Sequence, residues 1–224
     1  MALYEAVPDG ARAAVIVIQE AYGVNDYIER VARDLADAGY HAVAPHLFHR
    51  TGGGVVSYDE VPKAVEMIAT LDDDTELMDV DAAIAHLRAA GFADRSIGIV
   101  GFCMGGRVTF LAVARRAIGA GVGFYGGAIV PGWPPKFASL VGESASLKAP
   151  WLGLFGDQDQ SIPVEQVEEL RAALKAAPVD TEIVRYPNAG HGFHSEPRPR
   201  SYHAESATDA WRRTLEWFGT HLTG

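Results

Sequence analysis

The chain has one cysteine, and its surroundings are those of a nucleophile. Cys103 lies within Gly101-Phe102-Cys103-Met104-Gly105-Gly106, between an apolar run ending at Phe102 and a segment of helical spacing. A side chain raised on a sharp strand-to-helix turn needs small residues two positions to either side, because the backbone crowds its neighbours there. Gly101 and Gly105 meet that need. A helix starting after Cys103 points its unpaired N–H groups and positive dipole end at the sulfur, favouring a thiolate and later an oxyanion. The Met104 N–H is therefore one expected oxyanion donor. The alternative is a buried cysteine in a glycine-rich turn of a nucleotide-binding protein, but the lysine of a phosphate loop and the Gly-x-Gly of a dinucleotide fold are both missing.

A nucleophile on such a turn needs a base, and the order along the chain is then nucleophile, acid, histidine. The stretch Phe155-Gly156-Asp157-Gln158-Asp159-Gln160-Ser161-Ile162-Pro163 offers two acids just after a strand-like run. Position does not choose between Asp157 and Asp159, since either carboxylate can also shape the turn or cap the following helix. Asn188-Ala189-Gly190-His191-Gly192-Phe193 follows the last strand-like run, and its glycines let the backbone approach another loop closely. His191 is the expected base. His46 and His49, and separately His191 and His194, are spaced for a shared metal. Both pairs fall in glycine- or proline-rich segments without the His-Glu-x-x-His frame, so no metal is expected.

The elements that must carry these residues alternate. Strand-like runs at residues 13–18, 40–44, 96–102, 122–125, 151–155 and 182–186 are interleaved with helical spacing over 28–38, 58–71, 79–90, 108–113, 164–176 and 203–221. That is the pattern of a mostly parallel sheet covered by helices on both faces, an α/β architecture in one domain spanning residues 1–224. Residues 3–7, before Pro8-Asp9-Gly10, are expected to form a leading hairpin strand, and the 58–71 segment could cap a site. The chain is 48% hydrophobic and 21% charged with a net charge of −10, which speaks against nucleic acid as a partner. No run approaches the roughly 18 apolar residues of a membrane span. Without a basic leader before its first apolar run, the chain is expected in the cytoplasm. A lone cysteine excludes an internal disulfide. A monomer or homodimer is expected.

Together with Gln19-Glu20-Ala21-Tyr22-Gly23-Val24-Asn25, the motifs at 101–106, 159–163 and 190–193 resemble the dienelactone hydrolase family, from about residue 13 to the final helix. The resemblance implies an α/β-hydrolase fold and hydrolysis of a small ester or lactone through a Cys-His-Asp triad and a thioester, without a cofactor. It selects Asp159, the acid of Asp-x-x-Ile-Pro, over Asp157. It also implies that Glu20 pairs with the thiol and takes its proton when substrate arrives, and that the Ala21 N–H is the second oxyanion donor. Substrate contacts are expected from Tyr22, Phe102, Phe193, Arg198 and Arg200. The family's carboxylate-binding arginine four residues after the histidine is replaced here by Ser195, and its cap-segment arginine has no clear equivalent between Ser57 and Leu71. Two other functions use the same residues: a binding protein that kept the fold without the chemistry, and a redox sensor that forms a sulfenic acid on Cys103.

Overall fold

The computed structural model describes residues 1–223. Seven strands form one sheet in the order β1-β3-β2-β4-β5-β6-β7, and only β1 runs antiparallel to its neighbour. The strands are β1 (Leu3–Ala6), β2 (Ala13–Ile18), β3 (Tyr40–Pro45), β4 (Ile97–Phe102), β5 (Ala120–Phe124), β6 (Trp151–Gly156) and β7 (Thr181–Tyr186). Every residue of β2, β4, β5 and β6 is buried, as expected of central parallel strands covered on both faces. The helices are α1 (Asp26–Asp37), α2 (Val61–Ile68), α3 (Asp73–Ala89), α4 (Met104–Arg115), α5 (Val164–Leu174) and α6 (Ala204–His221). The chain moves one way from β2 to β3 and the other way from β3 onward. Right-handed crossovers therefore place α1 on one face and α3, α4 and α5 on the other. This is the α/β-hydrolase arrangement.

Two expectations are corrected. The first strand forms, but it makes no hairpin with β2: it pairs with β3, from Leu3 opposite Pro45 to Ala6 opposite Ala42. Both edges of β2 are already taken by β3 and β4, so β1 pairs instead with the outer edge of β3. Helix α3 starts six residues before the expected position 79, at a capping box in which the Asp72 side chain accepts from Thr75 N at 2.8 Å and Thr75 Oγ1 accepts from Asp72 N at 3.1 Å. Its early turns bury Asp73, Glu76 and Asp79, which interrupt the apolar spacing that would otherwise reveal it. No helix among the described residues is long and apolar enough to cross a membrane.

Candidate active site

Five side chains converge from the carboxyl ends of parallel strands, where open α/β sheets build their sites. Glu20 follows β2, Cys103 follows β4, Tyr125 follows β5, Asp159 follows β6 and His191 follows β7. Cys103 adopts φ 56° and ψ −116°, a backbone conformation costly for any residue with a Cβ. Its N–H donates to Phe124 O at 3.0 Å, which anchors the turn to the next strand. A Cβ on Gly101 would run into the carbonyl of Gly105, and one on Gly105 would lie 2.5 Å from Ile18 O. The glycines are there because β4, the turn and the end of β2 touch backbone to backbone.

His191 Nδ1 lies 2.7 Å from Asp159 Oδ2. The other oxygen of Asp159 accepts from Ser161 N at 2.8 Å, Ser161 Oγ at 2.6 Å and Ile162 N at 3.2 Å. Burial pushes the Asp159 carboxyl up, but His191 and the Ser161 donors outweigh it and hold its pKa below the ordinary value. Burial likewise disfavours the imidazolium of His191, yet the neighbouring Cys103 sulfur and Asp159 raise its pKa well above the ordinary value. The rival acid, Asp157, is engaged elsewhere: its carboxylate takes Arg185 Nε at 2.7 Å and Nη2 at 2.8 Å.

Glu20 is buried. Tyr125 OH donates to its Oε1 at 3.3 Å, Arg198 Nη1 is 3.9 Å from the same oxygen, and Oε2 has no hydrogen-bond partner among the described residues. Burial raises its pKa more than Arg198, His191 and Tyr125 lower it. The sulfur of Cys103 sits beside His191, and Glu20 makes no hydrogen bond to it in this conformation, unlike the pairing the resemblance implied. The amides of Ala21 and Met104 are unengaged among the described residues. The Arg198 guanidinium lies 5.6 Å from the Tyr22 ring centroid and 5.7 Å from that of Tyr58, so Arg198 and Tyr22 do meet at the Glu20 side of the site.

Three expected substrate contacts fall elsewhere. Phe102 is fully buried against Tyr27, Phe124 and His194, because its side chain turns into the layer beneath the sheet. Phe193 is fully buried against Phe124, Tyr125 and Tyr186. Arg200 is exposed, with no ion pair among the described residues. The histidine pairs do not converge either. His194 Nδ1 meets Tyr27 OH at 2.8 Å, and burial with Arg30 nearby drops its pKa to about 3, so it stays neutral. His49 Nε2 faces Asp79 at 3.1 Å. The cluster whose donor atoms do converge is Glu5, His41 and His86. His41 stands near the amino end of β3, at the opposite end of the sheet from Cys103.

The 58–71 segment, expected to cap a site, contributes Ile68 to the wall, but the rest of the wall has no local signature in the sequence. A cleft of about 380 Å³ opens beside Cys103 and His191, bounded by Ile68, Met104, Trp133, Phe137 and Ser161. Its lining comes from segments far apart in the chain. Tyr125 was also missed, although its place directly after β5 is a position from which such sites recruit side chains.

The dienelactone hydrolase family model matches residues 1–222. A "Putative carboxymethylenebutenolidase" of Methylorubrum extorquens is 41% identical over 96% of this chain and 75% of that protein. One of the same name from Escherichia coli is 40% identical over 97% of this chain and 82% of its own length. The crystal structure of a "Putative Dienelactone Hydrolase" from Klebsiella pneumoniae superposes with a TM-score of 0.87 at 38% identity, covering 97% of this chain and 92% of that one.

Proposed function

This chain belongs to the dienelactone hydrolase family and is a hydrolase of esters or lactones; from that premise we propose that it works through a thioester on Cys103. The sulfur attacks the scissile carbonyl, and the tetrahedral oxyanion is held by the Ala21 and Met104 N–H groups. Imidazolium His191 protonates the departing alkoxide, leaving an acyl-cysteine. His191 then takes a proton from water, the resulting hydroxide adds to the thioester, and the acid departs as Glu20, which took the thiol's proton before attack, returns it to the sulfur. Asp159 orients the ring and favours its charged form.

The observation that carries this reading is the 2.7 Å contact of His191 Nδ1 with Asp159 Oδ2 beside a cysteine held at positive φ. Glu20 is the proton acceptor for the thiol when substrate arrives: its buried Oε2 lacks a donor, and burial raises its affinity for a proton. Arg198 and Tyr22 are the substrate contacts on that side. The same reading takes residues 1–224 as one domain, supported by the single sheet, acting as a monomer or homodimer in the cytoplasm, where a lone thiol stays reduced.

The test is hydrolysis of 4-nitrophenyl acetate by the purified protein, by Cys103→Ala and by His191→Ala, with circular dichroism to establish folding. Both variants are expected to be nearly inactive, and iodoacetamide should abolish wild-type turnover. Wild-type rates in either folded variant would refute the triad.

A further inference from the structure

Resting on the reading just given, we infer that the cleft beside Cys103 receives a neutral, apolar portion of the substrate, an aryl or short alkyl group of the ester or lactone, and disfavours a carboxylate there. Its walls are Ile68 at the end of α2, Met104 at the start of α4, and Trp133 and Phe137 from the loop joining β5 to β6. Trp133 and Phe137 stack with ring centroids 6.1 Å apart and planes 22° apart, locked by paired backbone bonds of 2.8 Å and 3.2 Å. Trp133 is still 44% exposed, a large apolar surface at the mouth of a site.

Charge decides against an anion. Apart from His191, the cation in the lining is Arg107, and its guanidinium is already occupied. Nη1 reaches Asp73 Oδ1 at 2.5 Å, Nη2 reaches Asp73 Oδ2 at 3.3 Å and Ala138 O at 2.7 Å, and Nε reaches Ala128 O at 3.2 Å. Glu76 Oε2 lies 3.9 Å from Nη1, so two buried carboxyl groups face one guanidinium. Whether Glu76 is neutral or ionised, this floor carries no spare positive charge. A substrate carboxylate entering the cleft would leave water to meet no cation but His191, whose ring is already paired with Asp159 at 2.7 Å, which is unfavourable.

The network also gives Arg107 a different task. It ties two carbonyls of the β5–β6 loop to α4, while Ala138 N donates to Asp73 Oδ2 at 3.3 Å. Arg107 is thus a positioning residue for the wall that carries Trp133 and Phe137. The other cation near the site, Arg198, sits over Tyr22 and Tyr58 beside Glu20 and does not line this cleft.

The experiment compares kcat/KM for two matched pairs: phenyl acetate with 4-carboxyphenyl acetate, and 4-nitrophenyl butanoate with mono-4-nitrophenyl succinate. One pair carries the charge on the alcohol portion and the other on the acyl portion. A carboxylate on the portion that enters the cleft should lower kcat/KM about tenfold or more. In that pair Trp133→Ala should raise KM several-fold more for the neutral ester than for the anionic one, and Ile68→Arg should narrow the gap. The inference is overturned if both pairs stay within about threefold, if the anionic members are preferred, or if neither variant changes the gap. A wild-type protein no more active on any of the four esters than Cys103→Ala would instead defeat the thioester reading, and this inference with it.

Discussion

His191 Nδ1 and Asp159 Oδ2 are 2.7 Å apart, and the remaining oxygen of that carboxylate is fixed by Ser161 and Ile162. The acid therefore cannot rotate away without breaking bonds to its own loop, and the imidazole inherits that rigidity. A ring held at Nδ1 presents its other nitrogen toward the cysteine, which is the orientation a general base requires.

Asp159→Asn keeps the shape but removes the charge that stabilises the imidazolium, so kcat should fall by roughly a hundredfold to ten-thousandfold. Asp157→Asn should leave kcat within about twofold, because that carboxylate meets only Arg185 on the flank, in a part-exposed ion pair worth about 1 kcal/mol or less. Steady-state kinetics on both variants checks the assignment. Equal losses would show that the two acids are not distinguished.

Glu20→Gln retains the volume and the contact with Tyr125 but cannot accept the thiol's proton. Turnover should fall by about tenfold or more, while iodoacetamide still alkylates Cys103, since His191 remains beside the sulfur. Loss of both alkylation and turnover would point to a collapsed site rather than to a missing acceptor.

Gly105→Ala places a Cβ 2.5 Å from Ile18 O and 2.6 Å from Gln19 O, both backbone atoms at the end of a buried strand. Neither can move without shifting β2. A loss of several kcal/mol is expected, seen as a thermal transition lowered by about ten degrees or as failure to fold. An unchanged melting curve would contradict the backbone-to-backbone contact.

Glu76 carries the clearest pH signature. Burial raises its pKa from the ordinary 4.5 to about 8, with Arg107 only partly opposing the shift. Between those values the unfolded chain has released this proton and the folded chain still holds it. Stability should therefore fall as pH rises through the window and level off above about 8. Each unit is worth about 1.4 kcal/mol, so the effect is of order a few kcal/mol. Glu76→Gln should remove this slope, leaving the variant more stable than wild type at pH 8.5 but not at pH 4.5. Urea unfolding at the two pH values measures it; parallel slopes in both proteins would mean that Glu76 is already ionised.

What could be read from the residues in order was whatever local spacing controls. The turn at Cys103 follows from Gly101 and Gly105, the alternation of strands and helices from apolar periodicity, and the succession Cys103, acid, His191 from motifs that each close a strand. These are short-range properties of the backbone, carried by neighbours within one turn or one strand. Helix α3 was misplaced because the partners that make its buried acids tolerable, Arg107 for Asp73 and Arg50 for Asp79, lie 34 and 29 residues away.

The same distance in sequence separates every other feature that only the folded chain decided. Asp157 is taken by Arg185, 28 residues on, and that contact frees the geometry around Asp159. Phe102 and Phe193 belong to the core because each meets aromatic neighbours from other strands, and β1 chose β3 because β2 had no edge left. The cleft itself exists only where α2, α4 and the β5–β6 loop meet. Short-range spacing sets the conformation of a turn, but which side chains occupy the space in front of it depends on how distant segments pack, and packing is a property of the whole fold.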